Sequence, residues 1–194
     1  MKNRQSHKIK IRDIEVEYSV DYRKVKYIRY ELKRGKLLII LPKRSKVDIE
    51  ETIHKKDSWI YKKIIEYNKE KEHLSNITRD MHLVHRTLSE LRDLVDVYVE
   101  KYEKILNVKV NRLQFRDTVY KWGSCSSLGN VTLSKNLSFL PDRLVEYIVY
   151  HEMAHIIVLN HSDKFFEIIR REFPNYDVCD EKLKQYNFLI ENNF

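Results

Sequence analysis

The segment HEMAHIIVLNH, residues 151–161, restricts the possible folds of this chain more than any other stretch of the sequence. On a helix, residues four apart lie on one face in adjacent turns, so His151 and His155 can converge on a single metal ion. An unbroken helix would carry His161 about 9 Å further along the axis. The helix must therefore end and the chain turn back if all three imidazoles are to meet, and Leu159-Asn160 is the predicted place.

These side chains meet the chemical requirements of metal-dependent hydrolysis. Zinc held by three neutral protein ligands keeps a fourth position for water and lowers the pKa of that water to about 7. Glu152 follows the first histidine directly, so its carboxylate can take the proton and later pass it to the leaving amine. The sequence predicts Zn²⁺ bound by His151, His155 and His161, with Glu152 as general base and then general acid.

Other interpretations of the histidines stay open. The helix could simply contain two satisfied core histidines, but two imidazoles and a carboxylate among Leu, Ile and Val would cost several kcal/mol if they lacked partners. Zinc could also tie the helix to the following loop without catalysis, with its fourth coordination position closed. His82 and His85 lie three apart but have no third partner nearby, and they are predicted to be ordinary surface or boundary histidines.

The first part of the chain has the pattern of a β-sheet followed by helices. Residues 8–41 alternate apolar and polar side chains and end in the run LLIIL, which is typical of several antiparallel strands. Arg34-Gly35 predicts a hairpin turn, and Pro42 predicts the end of the last strand. From Ser45 to about Leu74, apolar residues recur every three or four positions, which predicts one or two helices.

The segment SNITRD is the predicted joint between two domains. Residues 1–75 would form a β-rich subdomain that shapes or covers the cleft, and residues 76–194 a zincin-like metallopeptidase domain. The predicted fold class is α+β, with a mostly antiparallel sheet packed against the active-site helix. In the second domain the patterns predict a helix over 81–106, strands over 108–140 around a turn at 128–130, and helices over 142–159, 163–172 and 178–191.

The composition is that of a folded protein with an excess of cations. The formal net charge of +8 would attract phosphates or acidic partners. Cations and acids are interleaved, however, as in KKDSWIYKKIIEYNKEKE, which favours solvated helix faces. Nucleic-acid binding is therefore possible but not favoured, and a protein or peptide substrate is the expected partner.

The sequence contains neither a secretion-signal pattern nor a stretch long enough for a membrane span. We expect a cytoplasmic protein without a membrane partner. Cys125 and Cys179 lie far apart in sequence, and in such a compartment they are expected to be free thiols. The oligomeric state cannot be read from these residues.

Two segments together resemble a known family. These are YKWGSCSSLGNVTLSKNLSFLP and, after it, YIVYHEMAHIIVLNHSDKFF, and they are similar to the YgjP-like zinc metallopeptidases, which are related to SprT-like and Wss1-like proteases. The histidine spacing is also that of metzincins, but Val158 replaces their glycine and no Met-turn follows. The residues that match the YgjP-like pattern are Trp122, Gly123, Ser124, Cys125, Ser126, Gly129, Pro141, His151, Glu152, His155, Asn160, His161, Ser162 and Phe165.

The resemblance implies where a substrate would lie. The strand that follows WGSC would run beside the active-site helix and pair with an extended peptide. Trp122 would pack between strand and helix, while Ser124 or a nearby backbone N–H would help to hold the substrate carbonyl; simple core packing is the alternative for Trp122 and Cys125. By residue type, the candidates for a donor to the oxyanion are Tyr120, Tyr147, Tyr150 and Tyr176.

Departures from the family pattern concern the substrate groove. Lys121 stands where arginine is usual, Ser134-Lys135-Asn136 where an Asn-Trp-Arg run is usual, and Phe166 where tryptophan is usual. The sequence predicts a zinc-dependent metallopeptidase. The alternatives are a DNA-associated protease of the SprT or Wss1 type, a non-catalytic protein with a structural zinc, and a hydrolase of small amides.

Overall fold

The computed structural model describes residues 5–118 and 121–193 and has an α+β fold, as predicted. Internal contacts divide the chain into two compact units, Met1–Asn76 and Ile77–Phe194. Within the described residues, each unit holds a single sheet and its own hydrophobic core. Among the helices in this part of the chain, none is both long enough and apolar enough to cross a membrane.

The first unit consists of strands followed by helices, in the predicted order. The predicted turn at Arg34-Gly35 joins its last two strands, and both residues adopt the left-handed conformation that such turns require. Inward-facing side chains of the sheet pack against Ile53, Ile60 and Ile64 of the helices. The described elements are β1 (Ser6–Ile11), β2 (Ile14–Arg23), β3 (Arg29–Lys33), β4 (Lys36–Pro42), α1 (Ile49–His54) and α2 (Asp57–Ile77), the last of which continues into the predicted joint.

The sheet of this unit has the order β1-β2-β4-β3, which corrects the expectation of purely antiparallel strands. β1 and β2 pair antiparallel, as do β3 and β4, but β2 and β4 pair in parallel. The cause is the run Leu37–Leu41, which is buried on both faces of β4 and therefore belongs in the middle of the sheet. Three successive strands run up, down and up, so placing the third beside the first makes that pair parallel.

The second unit is mainly helical, and one helix lies at its centre. This helix, α4, contacts the elements around it, and ten of its thirteen residues are buried. It begins at the predicted Pro141-Asp142. The described elements of the unit are α3 (Leu88–Leu106), β5 (Arg112–Arg116), β6 (Gly123–Cys125), β7 (Asn130–Ser134), a short 3-10 helix (Lys135–Phe139), α4 (Asp142–Ala154), α5 (Asp163–Glu172) and α6 (Tyr176–Asn193).

The sheet of the second unit is mixed and not mostly antiparallel. Its order is β5-β7-β6, with β7 parallel to β5 and antiparallel to β6. As in the first unit, the third strand of an up-down-up series lies between the other two. Val131 and Leu133 of β7 are buried, and the edge strand β6 contacts α4.

The long helix predicted over residues 81–106 begins only at Leu88. Thr87 and Glu90 form a reciprocal capping box that sets this start, because each side chain accepts a backbone N–H of the other residue. The preceding residues lie against the 3-10 helix, where the N–H groups of Val84 and Arg86 donate to Phe139 and Ser138. His82 and His85 are exposed in this segment, in agreement with the prediction of surface histidines.

A buried carboxylate connects α3 to α4. Glu146 is 9% exposed, and its oxygens accept hydrogen bonds from Lys101 at 2.7 Å, Tyr102 at 2.8 Å and Arg143 at 2.7 Å. Burial by itself raises the pKa of Glu146, but these three hydrogen bonds outweigh it, so the pKa lies below its ordinary value. The ionised carboxylate therefore stabilises the packing of α4.

Glu146→Gln should lower the free energy of unfolding by about 1–3 kcal/mol at neutral pH, because it removes the buried charge and leaves its partners incompletely satisfied. A carboxyl with a lowered pKa in the folded state stabilises the protein above its unfolded pKa of 4.5, and loses that contribution as the pH falls through the folded value. The difference between native protein and variant should therefore shrink in acid. Urea unfolding followed by Trp122 fluorescence in a Trp59→Phe background measures it.

The matched control is Glu100→Gln, which makes the same chemical change at an exposed position of α3. It should alter the free energy of unfolding by no more than about 0.5 kcal/mol. Equal effects of the two substitutions would contradict the role assigned to Glu146.

Candidate metal centre

The chain reverses direction directly after α4. The helix ends at Ala154, with His155 as its C-cap, and not near residue 159 as predicted. The last hydrogen bonds after the helix are of the tighter 3-10 type, as in the N–H of Ile157, which donates to Ala154 O at 3.0 Å. Asn160 is not in the left-handed conformation on which the prediction rested. The helix ends early because all the residues between His155 and His161 are needed to bring His161 back to the other two histidines.

This reversal brings the three predicted histidines together. Ligand nitrogens of His151, His155 and His161 all lie within 4.8 Å of one another. The Nε2 atoms of His151 and His161 are 3.2 Å apart, close to the separation of about 3.4 Å expected for two nitrogens on one tetrahedral zinc ion. Two of the histidines come from α4 and its cap, and the third comes from the loop before α5.

One phenylalanine packs against all three imidazoles. Phe165, in the first turn of α5, is fully buried. Its ring is stacked on His155 at 4.5 Å and meets His151 and His161 edge-on at 4.9 and 4.8 Å between centroids. Phe165 matches the family pattern, but the sequence predicts no role for it. The structure shows that it limits the ring orientations of the whole cluster.

Two of the histidines are held in the neutral form that binds metals. The Nδ1 of His155 lies 3.0 Å from Val158 O, and because a carbonyl only accepts, Nδ1 carries the proton and Nε2 is left with a lone pair. Burial lowers the pKa of His151 to about 4, with a smaller contribution from the neighbouring histidines, and burial also lowers the pKa of His155. Neutral imidazole is the form that coordinates a cation.

The carboxylate predicted as general base lies buried in the same helix. Glu152 is 6% exposed, and among the described residues its Oε2 has no hydrogen-bond partner. Burial raises the pKa of Glu152 to about 7, and the positive charge of Lys121 only partly opposes this shift. A carboxylate whose pKa lies near neutrality can both take up and release a proton under ordinary conditions.

Gly123 provides the space in which Glu152 lies. A Cβ atom at this position would be 2.6 Å from Glu152 Cγ and 2.7 Å from its Oε1, closer than side-chain atoms can approach. The backbone of Gly123 is not in a conformation reserved for glycine, so its lack of a side chain matters for space alone. Gly123 belongs to the W-G-S-C match, but the sequence alone predicts no function for it.

The strand next to the site is WGSC itself and not the strand that follows it. β7 is paired on both sides, whereas β6 lies at the sheet edge. Trp122 O accepts from the N–H of Ser134 at 2.8 Å, and the N–H of Ser126 donates to Asn130 O at 3.0 Å. Antiparallel hydrogen bonding alternates, so the backbone groups of Gly123 and Cys125 point away from β7.

The side chains of β6 divide between two faces. Gly123 and Cys125 lie on the face next to Glu152, and burial together with that carboxylate raises the pKa of the Cys125 thiol to about 11. Ser124 is exposed on the opposite face, with Thr132 as its cross-strand neighbour. Trp122 is half-buried and packs against the core of the unit. Both cysteines are free thiols.

The predicted oxyanion donors lie in different environments. The Tyr147 hydroxyl donates to Asp180 Oδ1 at 2.8 Å, and the Tyr150 hydroxyl donates to Ile168 O at 2.9 Å. Tyr176 stacks on Phe166, whose ring lies 6.2 Å from the ring of His161. Tyr120 lies outside the described residues. Of the candidates in the described residues, Tyr147 and Tyr150 thus already donate to a protein acceptor, which leaves Tyr176 as the candidate.

Comparison with known proteins gives the class of this chain. Residues 73–186, more than half of the sequence, match the family model of the YgjP-like metallopeptidase domain. The chain belongs to this family and is a metallopeptidase. It is also similar to the crystal structure of the metallopeptidase zymogen of Pyrococcus abyssi abylysin, at 22% identity and a TM-score of 0.43, over 46% of this chain and 90% of that one. No curated protein matches it.

Addition of Zn²⁺ or Co²⁺ to metal-free protein should stabilise the fold, because an ion that binds only the folded histidine cluster shifts the unfolding equilibrium. At a free concentration a hundred times the dissociation constant, the gain is about 2.7 kcal/mol. Thermal unfolding with and without metal measures the shift. His161→Asn should abolish it, whereas His85→Asn, a change at an exposed histidine outside the cluster, should leave it intact. A shift that survives His161→Asn would place the metal elsewhere.

Proposed function

We propose that this metallopeptidase is zinc-dependent and hydrolyses peptide bonds with Glu152 as general base and then general acid. The observation that carries the proposal is the convergence of three imidazoles within 4.8 Å of one another, next to a buried carboxylate without a partner. A helix with ordinary core histidines would not gather a third imidazole from a separate loop. Nor would it leave a carboxylate oxygen unsatisfied beside them.

The donor set fits zinc. His151, His155 and His161 would hold the ion as three neutral nitrogen ligands, the number found in catalytic zinc sites, and the Val158 carbonyl would orient His155. A zinc ion in this cluster would supply Lewis acidity, which lowers the pKa of water and polarises a carbonyl. Co²⁺, Ni²⁺ and Fe²⁺ also accept imidazole ligands, and it is the number of ligands together with their neutrality that favours zinc.

Glu152 would act as the proton acceptor and then the proton donor of the reaction. Its raised pKa, about 7, means that the carboxylate can accept a proton from attacking water and then hold it in a low-dielectric site. The protonated carboxyl can afterwards donate to the nitrogen of the leaving amine. Gly123 would leave the space that the carboxylate occupies between α4 and β6, because any larger residue would displace it.

The free edge of β6 would hold the substrate. An extended peptide could pair with the outward-facing N–H and C=O groups of Gly123 and Cys125, which would align it past Glu152. Trp122 would contribute an apolar contact to the bound peptide. The hydroxyl of Ser124 would not contact the peptide, because it lies on the face of β6 opposite Glu152.

Glu152→Gln should retain the metal and lose peptidase activity. The amide preserves the shape of the side chain but cannot take a proton, so kcat should fall by about 10²–10⁴-fold. Metal analysis of the purified proteins and cleavage of an unfolded protein substrate are the two measurements. A native protein that holds zinc but cleaves no peptide would favour a structural metal, and an active Glu152→Gln variant would refute the role of this carboxylate.

Gly123→Ala should lower kcat by about 10²-fold, because displacing a catalytic group by about 1 Å has an effect of that size. Zinc content should not change, since the added methyl group meets Glu152 and no histidine. Ser124→Ala is the matched control on the neighbouring residue and should keep native kcat. Loss of zinc together with activity in Gly123→Ala would mean that the glycine supports the fold of the site and not the position of Glu152.

A further inference from the structure

The net positive charge of the chain lies in its first unit. Residues 1–76 contain 21 Lys and Arg against 12 Asp and Glu, a formal net charge of +9. Residues 77–194 contain 16 against 17, a net charge of −1. The excess of cations is therefore a property of the unit that lacks the histidine cluster, and it calls for an explanation separate from peptide hydrolysis.

Within the first unit, strand topology places two basic loops side by side. Because β2 and β4 are parallel neighbours, the segments that follow them leave the sheet at the same end. Arg23 pairs with Pro42 in the strand register, and the N–H of Lys43 donates to Arg23 O at 3.0 Å. Residues 22–27, YRKVKY, and residues 43–47, KRSKV, thus form one surface, here named the twin-loop surface.

The twin-loop surface contains cations without neutralising acids. Its eleven residues include six Lys and Arg and no Asp or Glu, in contrast to the interleaved charges of α2. All six cations are exposed. Arg23 pairs with Asp21 at 2.8 Å. In the described part of the chain the other five form no ion pair with a carboxylate: Lys24, Lys26, Lys43, Arg44 and Lys46.

Two tyrosines lie exposed among these cations. Tyr22, at the end of β2, is 51% exposed and Tyr27 is 68% exposed, both high values for large aromatic side chains. The ammonium of Lys26 lies 5.2 Å from the centre of the Tyr27 ring. Exposed aromatic rings between cations are the arrangement by which proteins bind unpaired bases, because bases stack on the rings while cations contact the phosphates.

We propose that the twin-loop surface binds single-stranded nucleic acid. Cations on two adjacent loops can contact the phosphates of a flexible single strand. The tyrosine rings can stack on unpaired bases, whereas the bases of a duplex are already stacked on one another and cannot reach the rings. The surface holds no helix or two-stranded ribbon of the kind that enters a major groove. It contains none of the residues proposed for hydrolysis, so this inference is independent of the proposed function.

The test uses the full-length protein and a fluorescent single-stranded DNA oligonucleotide of mixed sequence, with anisotropy measured over a series of salt concentrations. Replacing Lys24, Lys26, Lys43 and Arg44 by Gln should weaken binding at least about tenfold and reduce the slope of log K against log salt by about 3, at about 0.7 per lost phosphate contact. The matched control replaces Lys62, Lys63, Lys69 and Lys71 of α2 by Gln. It removes the same charge and should keep most of the affinity.

A second pair of variants tests the stacking. Tyr27→Leu should weaken binding about 5- to 100-fold, whereas Tyr27→Phe, which keeps the ring, should bind like the native protein. Because the side chain is exposed, neither change should disturb the fold.

The proposal is overturned if the native protein does not bind the oligonucleotide, if both quadruple variants lose equal affinity, or if the Leu and Phe variants bind alike. It is also overturned if anionic phospholipid vesicles or polyglutamate bind the twin-loop surface while the oligonucleotide does not. Cleavage of an unfolded protein by the same preparations reports on the peptidase separately, so failure of one proposal is distinguishable from failure of the other.

Discussion

The tight reversal of the chain after Ala154 is the constraint on which the site depends. If α4 continued for another turn, His161 could not return to the two histidines that precede it. The same turn presents the Val158 carbonyl to the ring of His155, and it leads into α5, whose Phe165 packs against every imidazole. One local change of direction thus sets the position of His161, the protonated nitrogen of His155 and the ring orientations of all three histidines.

The environment of Glu152 shows how burial alone can prepare a side chain for proton transfer. The carboxylate lies on the same helix as His151, and the positive charge of Lys121 lowers its pKa by less than burial raises it. Glu146, on the same helix, is buried as well but has three donors, and its pKa moves in the opposite direction. Both carboxylates are buried, so the difference in their pKa values comes from their hydrogen-bond partners: Glu146 has three donors, whereas Glu152, the one proposed to react, has an oxygen without a partner among the described residues.

The sequence predicts the histidine cluster well because helical spacing is a local property. It also predicts the Arg34-Gly35 turn and the start of α4, where residue type alone limits the backbone. It does not predict that Phe165 contacts all three rings or that Gly123 makes space for Glu152, because these contacts join segments distant in the chain. Strand order was missed for the same reason: alternation reveals a strand and its faces, but it does not reveal which strands become neighbours.

Both sheets share one feature with a consequence for the order of assembly. In each, the last strand in the chain lies between two earlier strands: β4 lies between β2 and β3, and β7 lies between β5 and β6. Among the described strands, β6 pairs only with β7, so β6 belongs to a sheet only once β7 has paired with it. Because β7 is the last of the three strands in the chain, the free edge of β6 becomes part of a sheet during synthesis only after residues 112–134 have all been made.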